Sequence, residues 1–319
     1  MSDWFERLTG FREDGYHSTQ SRLCVDGDQL VSAADGKRYG MGELTLPTLA
    51  ELRARVDVQR GQPNSVQPVI GDARALHADP RFGGALFQVA SQFNLLEMVS
   101  ERVTPEDGVS RYAYDPTQGP ACAMAAGAAT IYRNYLVPLG DQIGQTRDRQ
   151  LDALAGLGAA LSDLTGLSVD ELWHMRNGYA LGTPGGLRAI GALLAGASED
   201  LREELRGQLA IGLHRNVQVT DVDGDQRVSQ AFCSAVPVSY SPESRRDWEP
   251  LARLVLEASY EATLLAAAEQ AADGSATVLL TRVGGGAFGN DPVWIDDAIE
   301  RALSLTADAG LDVRMVRRP

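Results

Sequence analysis

The sequence predicts a layered α/β fold, and three observations predict it. Over the last 90 residues, strand-like and helix-like patterns alternate. Residues 85–90, Ala-Leu-Phe-Gln-Val-Ala, form a nearly continuous apolar run of the kind found in a strand buried on both faces. A glycine-rich stretch, Gly284 to Asn290, sits between a buried strand pattern and an amphipathic helix pattern. The chain has 319 residues, enough for one large domain or two modest ones and for a sizeable core.

In chain order, residues 1–19 read as a polar, loosely ordered lead-in. Asp26-Gly27 and Asp35-Gly36 then separate the short segments Arg22–Val25 and Gln29–Val31, which predicts a hairpin or meander. Thr48 and Glu51 stand at capping-box spacing, and Leu49, Leu52 and Val56 recur on one face, so a helix follows. A loop rich in turn formers at 57–66 sets a boundary, with an extension over 1–65 and a main domain over 66–319. Val66 to Ile70 reads as a short strand stopping at Gly71-Asp72. The apolar run at 85–90 leads into a polar cluster, Ser91 to Asn94, at a strand end, where ligands bind in open α/β sheets. Pro120 reads as a first-turn proline, and the Ala/Gly stretch from Gly119 to Thr130 permits close helix packing.

Residues of about 136–210 read as a mainly helical insertion, with Leu151, Leu154, Leu157 and Leu161 at helical spacing and helix starts at Thr183-Pro184 and Ser198. Strands resume from Ile211, turning at Asp223-Gly224 and running again from Val228 to Tyr240. A helix carrying Leu251, Leu254, Val255, Ala258, Ala262 and Leu265 follows, then a strand at Thr277–Thr281. Asp291-Pro292 supplies the cap and first-turn proline of the next helix, and Leu311, Val313 and Met315 alternate in a last strand.

Composition removes several functions. With 29 Lys+Arg against 43 Asp+Glu the formal charge is −14, which opposes general nucleic-acid binding because a phosphate backbone would meet repulsion. Three scattered cysteines, Cys24, Cys122 and Cys233, suggest neither a disulfide framework nor a cysteine-rich zinc site. The N-terminus shows no signal-peptide pattern and no apolar run is long enough to span a membrane, so the expected location is the cytoplasm. Asp221 to Asp225 lacks the glycine and terminal glutamate positions of a calcium loop and reads as a hairpin turn. The four histidines show neither triad order nor metal-ligand spacing, and Cys122 reads as a packing residue near a helix start.

The chemistry-bearing signal is strand, glycine loop, helix at 277–303. Glycines let backbone N–H groups converge, and a helix start adds partial positive charge, so the loop reads as a phosphate cradle. No Lys-Ser/Thr follows, so it is no Walker loop, and the dinucleotide fingerprint is absent. Phe288 among these glycines fits against a flat ligand surface such as a sugar face. Asp72, Glu97, Glu106, Asp107 and Asp115 are the carboxylates near this region that are able to serve as acid or base.

Taken in order, Gly71-Asp72, the strand Phe87 to Asn94, the small-residue stretch Gly119 to Gly127 and the loop Gly284 to Gly289 resemble the macrodomain family of ADP-ribose-binding proteins. The resemblance covers about 66–135 and 211–317. It implies a three-layer α/β/α sandwich with a mixed sheet, carrying here an N-terminal β-meander and an α-helical insertion. It implies that Asp72 recognises the adenine amino group and that Gly284, Gly285, Gly286, Ala287, Phe288 and Gly289 hold the diphosphate, with Phe288 against the distal ribose and Asn290, next in the chain, among the ligand-binding residues. By the same resemblance Asn94 sits at that ribose and Gly119 at the helix start beside it. The triple glycine and following acidic or histidine residue of hydrolytic members are replaced here by Gln118-Gly119-Pro120-Ala121, so Asp115 and Glu97 are candidates for catalysis by position alone. The implied ligand is ADP-ribose or an ADP-ribosylated macromolecule, with no metal or cofactor required. The readings that remain open are hydrolysis of an ADP-ribosyl linkage, non-catalytic reading of ADP-ribosylated partners, and a regulatory role with no nucleotide ligand.

Overall fold

The computed structural model describes residues 3–317. Its central element is a mixed seven-stranded sheet. The strands are β1 (Glu43–Thr45), β2 (Ser65–Ile70), β3 (Leu86–Ala90), β4 (Gly212–Gln218), β5 (Arg227–Cys233), β6 (Thr277–Leu280) and β7 (Asp312–Arg317). Their order across the sheet is β1-β4-β5-β3-β6-β7-β2. The run β5-β3-β6-β7-β2 is parallel, and β4 and β1 join antiparallel at one edge. The α/β/α arrangement expected from the resemblance is therefore present. All five parallel strands end on one side of the sheet, where an open α/β sheet receives ligands.

Helices cover both faces. One layer contains α1 (Trp4–Thr9), α3 (Ala73–Ala78), α4 (Gln118–Ala125) and α5 (Gly127–Tyr135); the other contains α2 (Leu49–Arg55), α9 (Arg245–Gln270) and α10 (Pro292–Leu305). Helix α9 is the main prop of that second layer, and its inward residues, from Trp248 to Ala268, are almost all inaccessible. The capping box at Thr48 and Glu51 forms as its spacing predicts, and Leu49 and Leu52 are fully buried. The small-residue stretch has a packing reason. A side chain at Gly127 would stand 2.9 Å from Trp4 and 3.1 Å from Thr220.

The insertion carries α6 (Ala155–Thr165), α7 (Pro184–Gly196) and α8 (Glu199–Gly207), with α7 and α8 laid against α9. It is not wholly helical. Trp173–Arg176 and Tyr179–Gly182 pair as an antiparallel hairpin turned by Asn177-Gly178, both at positive φ. A leucine periodicity on both sides hides four-residue strands of this kind.

Three expectations are corrected. The segment before residue 20 is not a loose lead-in. It holds α1 and a short helix at Tyr16–Gln20, with Trp4, Phe5, Leu8 and Tyr16 buried in their own apolar cluster; Met1 and Ser2 lie outside the described residues. Its described apolar residues, Trp4, Phe5, Leu8, Phe11 and Tyr16, are all buried, which composition alone conceals. The meander forms at Leu23–Asp26, Gln29–Ser32 and Arg38–Gly40, but β1 after it completes the edge of the main sheet. Pro120 is the third helical residue of α4 and not the first, because Gln118 and Gly119 are already helical. No helix among the described residues is long and apolar enough to cross a membrane.

Candidate functional site

A cavity of about 940 Å³ opens across the carboxyl ends of β3, β6 and β7. That is the upper end of the size usual for small-molecule sites. Three segments make most of its wall: the turn after β3, the start of α4, and the glycine loop after β6.

The glycine loop is built for close backbone approach. Gly284 and Gly289 lie at positive φ, where other residues are strained. A side chain at Gly284 would also meet Ala235 at 2.4 Å. Asn290, buried, donates its side-chain amide to the carbonyl of Val236 at 2.8 Å, and its backbone N–H donates to Gly284 at 3.0 Å, so the loop is closed at its base. Gly289 and Asn290 thus shape the loop without lining the cavity, whereas Gly284, Gly285, Gly286, Ala287 and Phe288 line it. The N–H groups of Gly286, Ala287 and Phe288 donate to no protein acceptor among the described residues. Helix α10 begins directly after the loop with Asp291 as its cap. Arg317, at the end of β7, also lines the cavity and forms no ion pair among the described residues, whereas Arg282 is paired with Asp296.

Helix α4 is docked to the end of β3 by Gln118. Its side-chain oxygen accepts from the N–H of Ala90 at 2.9 Å and its nitrogen donates to the carbonyl of Gln88 at 3.1 Å. Gly119 is required at the next position, since a Cβ there would stand 2.2 Å from the carbonyl oxygen of Ala90 and 3.0 Å from Glu97. Asp115 lines the cavity and accepts from the N–H of Thr117 at 2.9 Å, which turns the chain into α4.

Glu97 differs from every other acid in the molecule. It lies in the cavity wall, is 2% exposed, and neither carboxyl oxygen has a hydrogen-bond partner among the described residues. Burial pushes its pKa up to about 8, against the opposing pull of Arg133, 3.6 Å away, and of Tyr112. Arg133 is itself fully buried. Its guanidinium donates to the carbonyl of Leu95 and the hydroxyl of Thr130 and lies 3.9 Å over the Phe232 ring. Behind it, burial and this cation hold His214 well below its ordinary pKa, so His214 is neutral. A buried carboxyl that keeps its proton near neutrality is a competent general acid for any group seated against the same wall.

The structure brings Glu97, Asp115, Gly119 and the loop 284–288 to one cavity. It does not bring Asp72 or Asn94 to that wall. Asp72 is exposed and caps α3, accepting from the N–H groups of Arg74 and Ala75. Asn94 is fully buried, accepting from the N–H of Leu96 and donating to Gln150. Glu106 and Asp107 sit on the 3-10 turn after Pro105 and also lie outside the cavity lining. Burial pushes the Cys122 thiol well above its ordinary range, so it is no nucleophile. Asp221 pairs with Arg74 in the hairpin turn between β4 and β5.

Sequence reasoning missed Tyr179 and Tyr240. Together with Phe288 they form an aromatic group on the cavity wall, with ring centroids 5.1–5.6 Å apart. Tyr179 comes from the insertion hairpin, and no local pattern links it to the glycine loop 105 or more residues later. The Asn177-Gly178 turn was the signal for its hairpin.

No protein-family model matches the chain, and no curated protein matches it by sequence. Among solved structures, the chain is similar to poly(ADP-ribose) glycohydrolase from Deinococcus radiodurans in complex with ADP-ribose. The identity is 11%, the match covers 97% of this chain and 92% of that one, and the TM-score is 0.46. It is similar to the glycohydrolase from Thermomonospora curvata at 13% identity, covering 91% and 87%, with a TM-score of 0.44. The form of that protein bound to the inhibitor ADP-HPD matches at 14% identity, 95% and 93% coverage, and a TM-score of 0.41. Identities and TM-scores this low assign no role to any residue of this chain.

Proposed function

We propose that the cavity binds ADP-ribose or a closely related nucleotide-diphosphate-ribose and that Glu97 acts there as the acid in cleavage of an ADP-ribosyl linkage. The observation that carries this reading is the pairing in one cavity of a buried carboxyl without hydrogen-bond partners and a glycine loop with undonated N–H groups. The free N–H groups of Gly286, Ala287 and Phe288, with Arg317 beside them, suit a diphosphate even on a chain of charge −14. A group without partners inside the protein is costly to keep there, and a bound ligand supplies what is missing.

In this reading Glu97 gives its proton to the leaving group as the bond to the anomeric carbon breaks. Water adds to that carbon, and its proton returns to the Glu97 carboxylate. Asp115, the other acid in the wall, orients the water. The near-complete cover of Glu97 means that only a group pressed against the wall reaches it. Diphosphate binding supplies that positioning.

Calorimetric titration with ADP-ribose tests the binding, with AMP and ribose 5-phosphate as controls. The expected result is micromolar affinity for ADP-ribose and at least tenfold weaker affinity for either fragment. Nothing lies within 4 Å of a Cβ at Gly286, so the Gly286→Glu variant folds and places a negative side chain in the cradle. It should bind more than a hundredfold more weakly. Absence of heat and of any thermal shift with the unaltered protein overturns the reading, as does tight binding by Gly286→Glu.

A further inference from the structure

We infer that the hairpin Trp173–Gly182 of the insertion is a clamp that positions Glu97, and that Gln150 and Tyr179 are its positioning residues. This rests on the role proposed above for Glu97.

The turn that carries Glu97 is unusual in its backbone. Leu95 stands at φ 63°, a conformation rare for a residue with a side chain, and it is buried. Such a residue persists only where the surroundings over-determine it. Here they come from Arg133, whose guanidinium donates to the Leu95 carbonyl at 3.0 Å, and from the insertion. The N–H of Phe93 donates to the carbonyl of Gly178 at 3.0 Å, and Gly178 itself lies so close to Asn94 that a Cβ would stand 2.6 Å from its side-chain oxygen. The side chains then form a chain of amides. Asn94 donates to Gln150 at 2.8 Å, Gln150 donates to Asn177 at 2.9 Å, and Asn177 donates to the carbonyl of Glu101 at 2.7 Å. Both ends of the chain lie on the segment that bears Glu97, before and after it. The middle lies in the insertion.

A second tie runs through Tyr179. Its hydroxyl donates to the carbonyl of Met98, next to Glu97, at 2.7 Å. Its ring meets Phe288 of the glycine loop at a centroid distance of 5.2 Å. One side chain therefore sets the distance between the acid and the anion cradle. Gln92 completes the arrangement, its side-chain oxygen accepting from the N–H of Met98 at 2.8 Å. Every one of these bonds is directional and made by a neutral group, so they add no charge near the carboxyl beyond that of Arg133, which also holds the turn through the Leu95 carbonyl. The charged and titratable groups that do face Glu97 are Arg133, Tyr112 and Cys122, from α5, the 3-10 turn before α4, and α4.

The test uses Gln150→Leu, which breaks the amide chain at a residue outside the cavity lining, and Tyr179→Phe, which keeps the ring and removes the bond to Met98. The titration of Glu97 is followed by NMR of carboxyl-labelled glutamate, with Glu97→Gln to assign the signal, and turnover of an ADP-ribosylated protein is followed across pH. Both variants should lower the Glu97 midpoint by at least one pH unit, because a loosened turn admits water to the carboxyl. Turnover should fall roughly tenfold to a hundredfold in kcat with a smaller change in KM, and the basic limb of the profile should move down with the midpoint. A variant that folds, keeps the Glu97 midpoint and keeps kcat overturns the clamp. The two readings separate cleanly. If the protein neither binds ADP-ribose nor turns over, the proposed function fails, and the NMR midpoint still decides whether the insertion holds Glu97.

Discussion

Replacing Glu97 by glutamine should stabilise the protein while removing the turnover proposed for it. The carboxyl has an ordinary pKa of 4.5 and a folded value of about 8. Because the folded value is the higher one, the cost to the native state is absent below pH 4.5, grows from there to pH 8, and is constant above. One pH unit corresponds to about 1.4 kcal/mol, so at pH 7 the native state carries a cost of about 3 kcal/mol and at pH 5 less than about 1 kcal/mol. Glutamine has nearly the same shape and no proton to lose. Glu97→Gln should therefore raise stability at pH 7 by about 3 kcal/mol, on the order of 6 °C in Tm for a chain of this length, and by little at pH 5. The assay is urea denaturation of both proteins at the two pH values, followed by circular dichroism. A variant equal to or less stable than its parent at pH 7 would refute the reasoning. It would mean that Glu97 is ionised and paired with Arg133, and is not a stored proton.

Two further substitutions probe the wall and its edge. Gly119→Ala sets a methyl 2.2 Å from the carbonyl oxygen of Ala90, so α4 must move away from β3, at a cost of about 2 kcal/mol, read by the same denaturation. Asp72→Ala removes the cap of α3 and should cost about 1 kcal/mol, while calorimetry should show a change in ADP-ribose affinity below threefold because Asp72 does not line the cavity; a larger loss would place Asp72 in the site.

The fold was legible where local physics decides it. The run 85–90 forms β3, the pattern around Thr277–Thr281 forms β6, and Thr48 with Glu51 caps α2, because burial and capping at these places involve residues close in sequence. What was not legible depends on distant partners. Three residues, Glu43 to Thr45, form β1 only because β4 offers its edge. The helix at Trp4–Thr9 has too few residues to be stable alone and exists by burying Trp4 and Phe5 against α5 and the 3-10 turn at Ser110–Tyr114. The insertion hairpin is four residues a side, and flanking leucines at helical spacing drown its alternation.

The site divides along the same line, and the division explains which of the residues named from the resemblance line the cavity and which do not. Glycines announce themselves, because a backbone that must turn or be approached closely needs them whatever lies nearby; hence 284–289 and Gly119 were visible. A side chain's task is set by what surrounds it. Asn94 stands at the expected place in the chain, yet the insertion brings Gln150 to it, and its amide holds the Glu97 turn from within the core. Glu97 itself was one of five candidate acids, with nothing in its neighbours to separate it from Asp115. Only the three-dimensional arrangement does so. Asp115 accepts a hydrogen bond from Thr117 and is partly exposed, while Glu97 is sealed 3.6 Å from Arg133 with no hydrogen-bond partner on either carboxyl oxygen. A group kept in so costly a position, by a turn with a strained residue and by an insertion that reaches over to hold it, is the reason the proposed function rests on Glu97 and not on Asp115. The stability that Glu97→Gln should return measures the cost of holding the acid there, since glutamine carries neither the charge nor the proton.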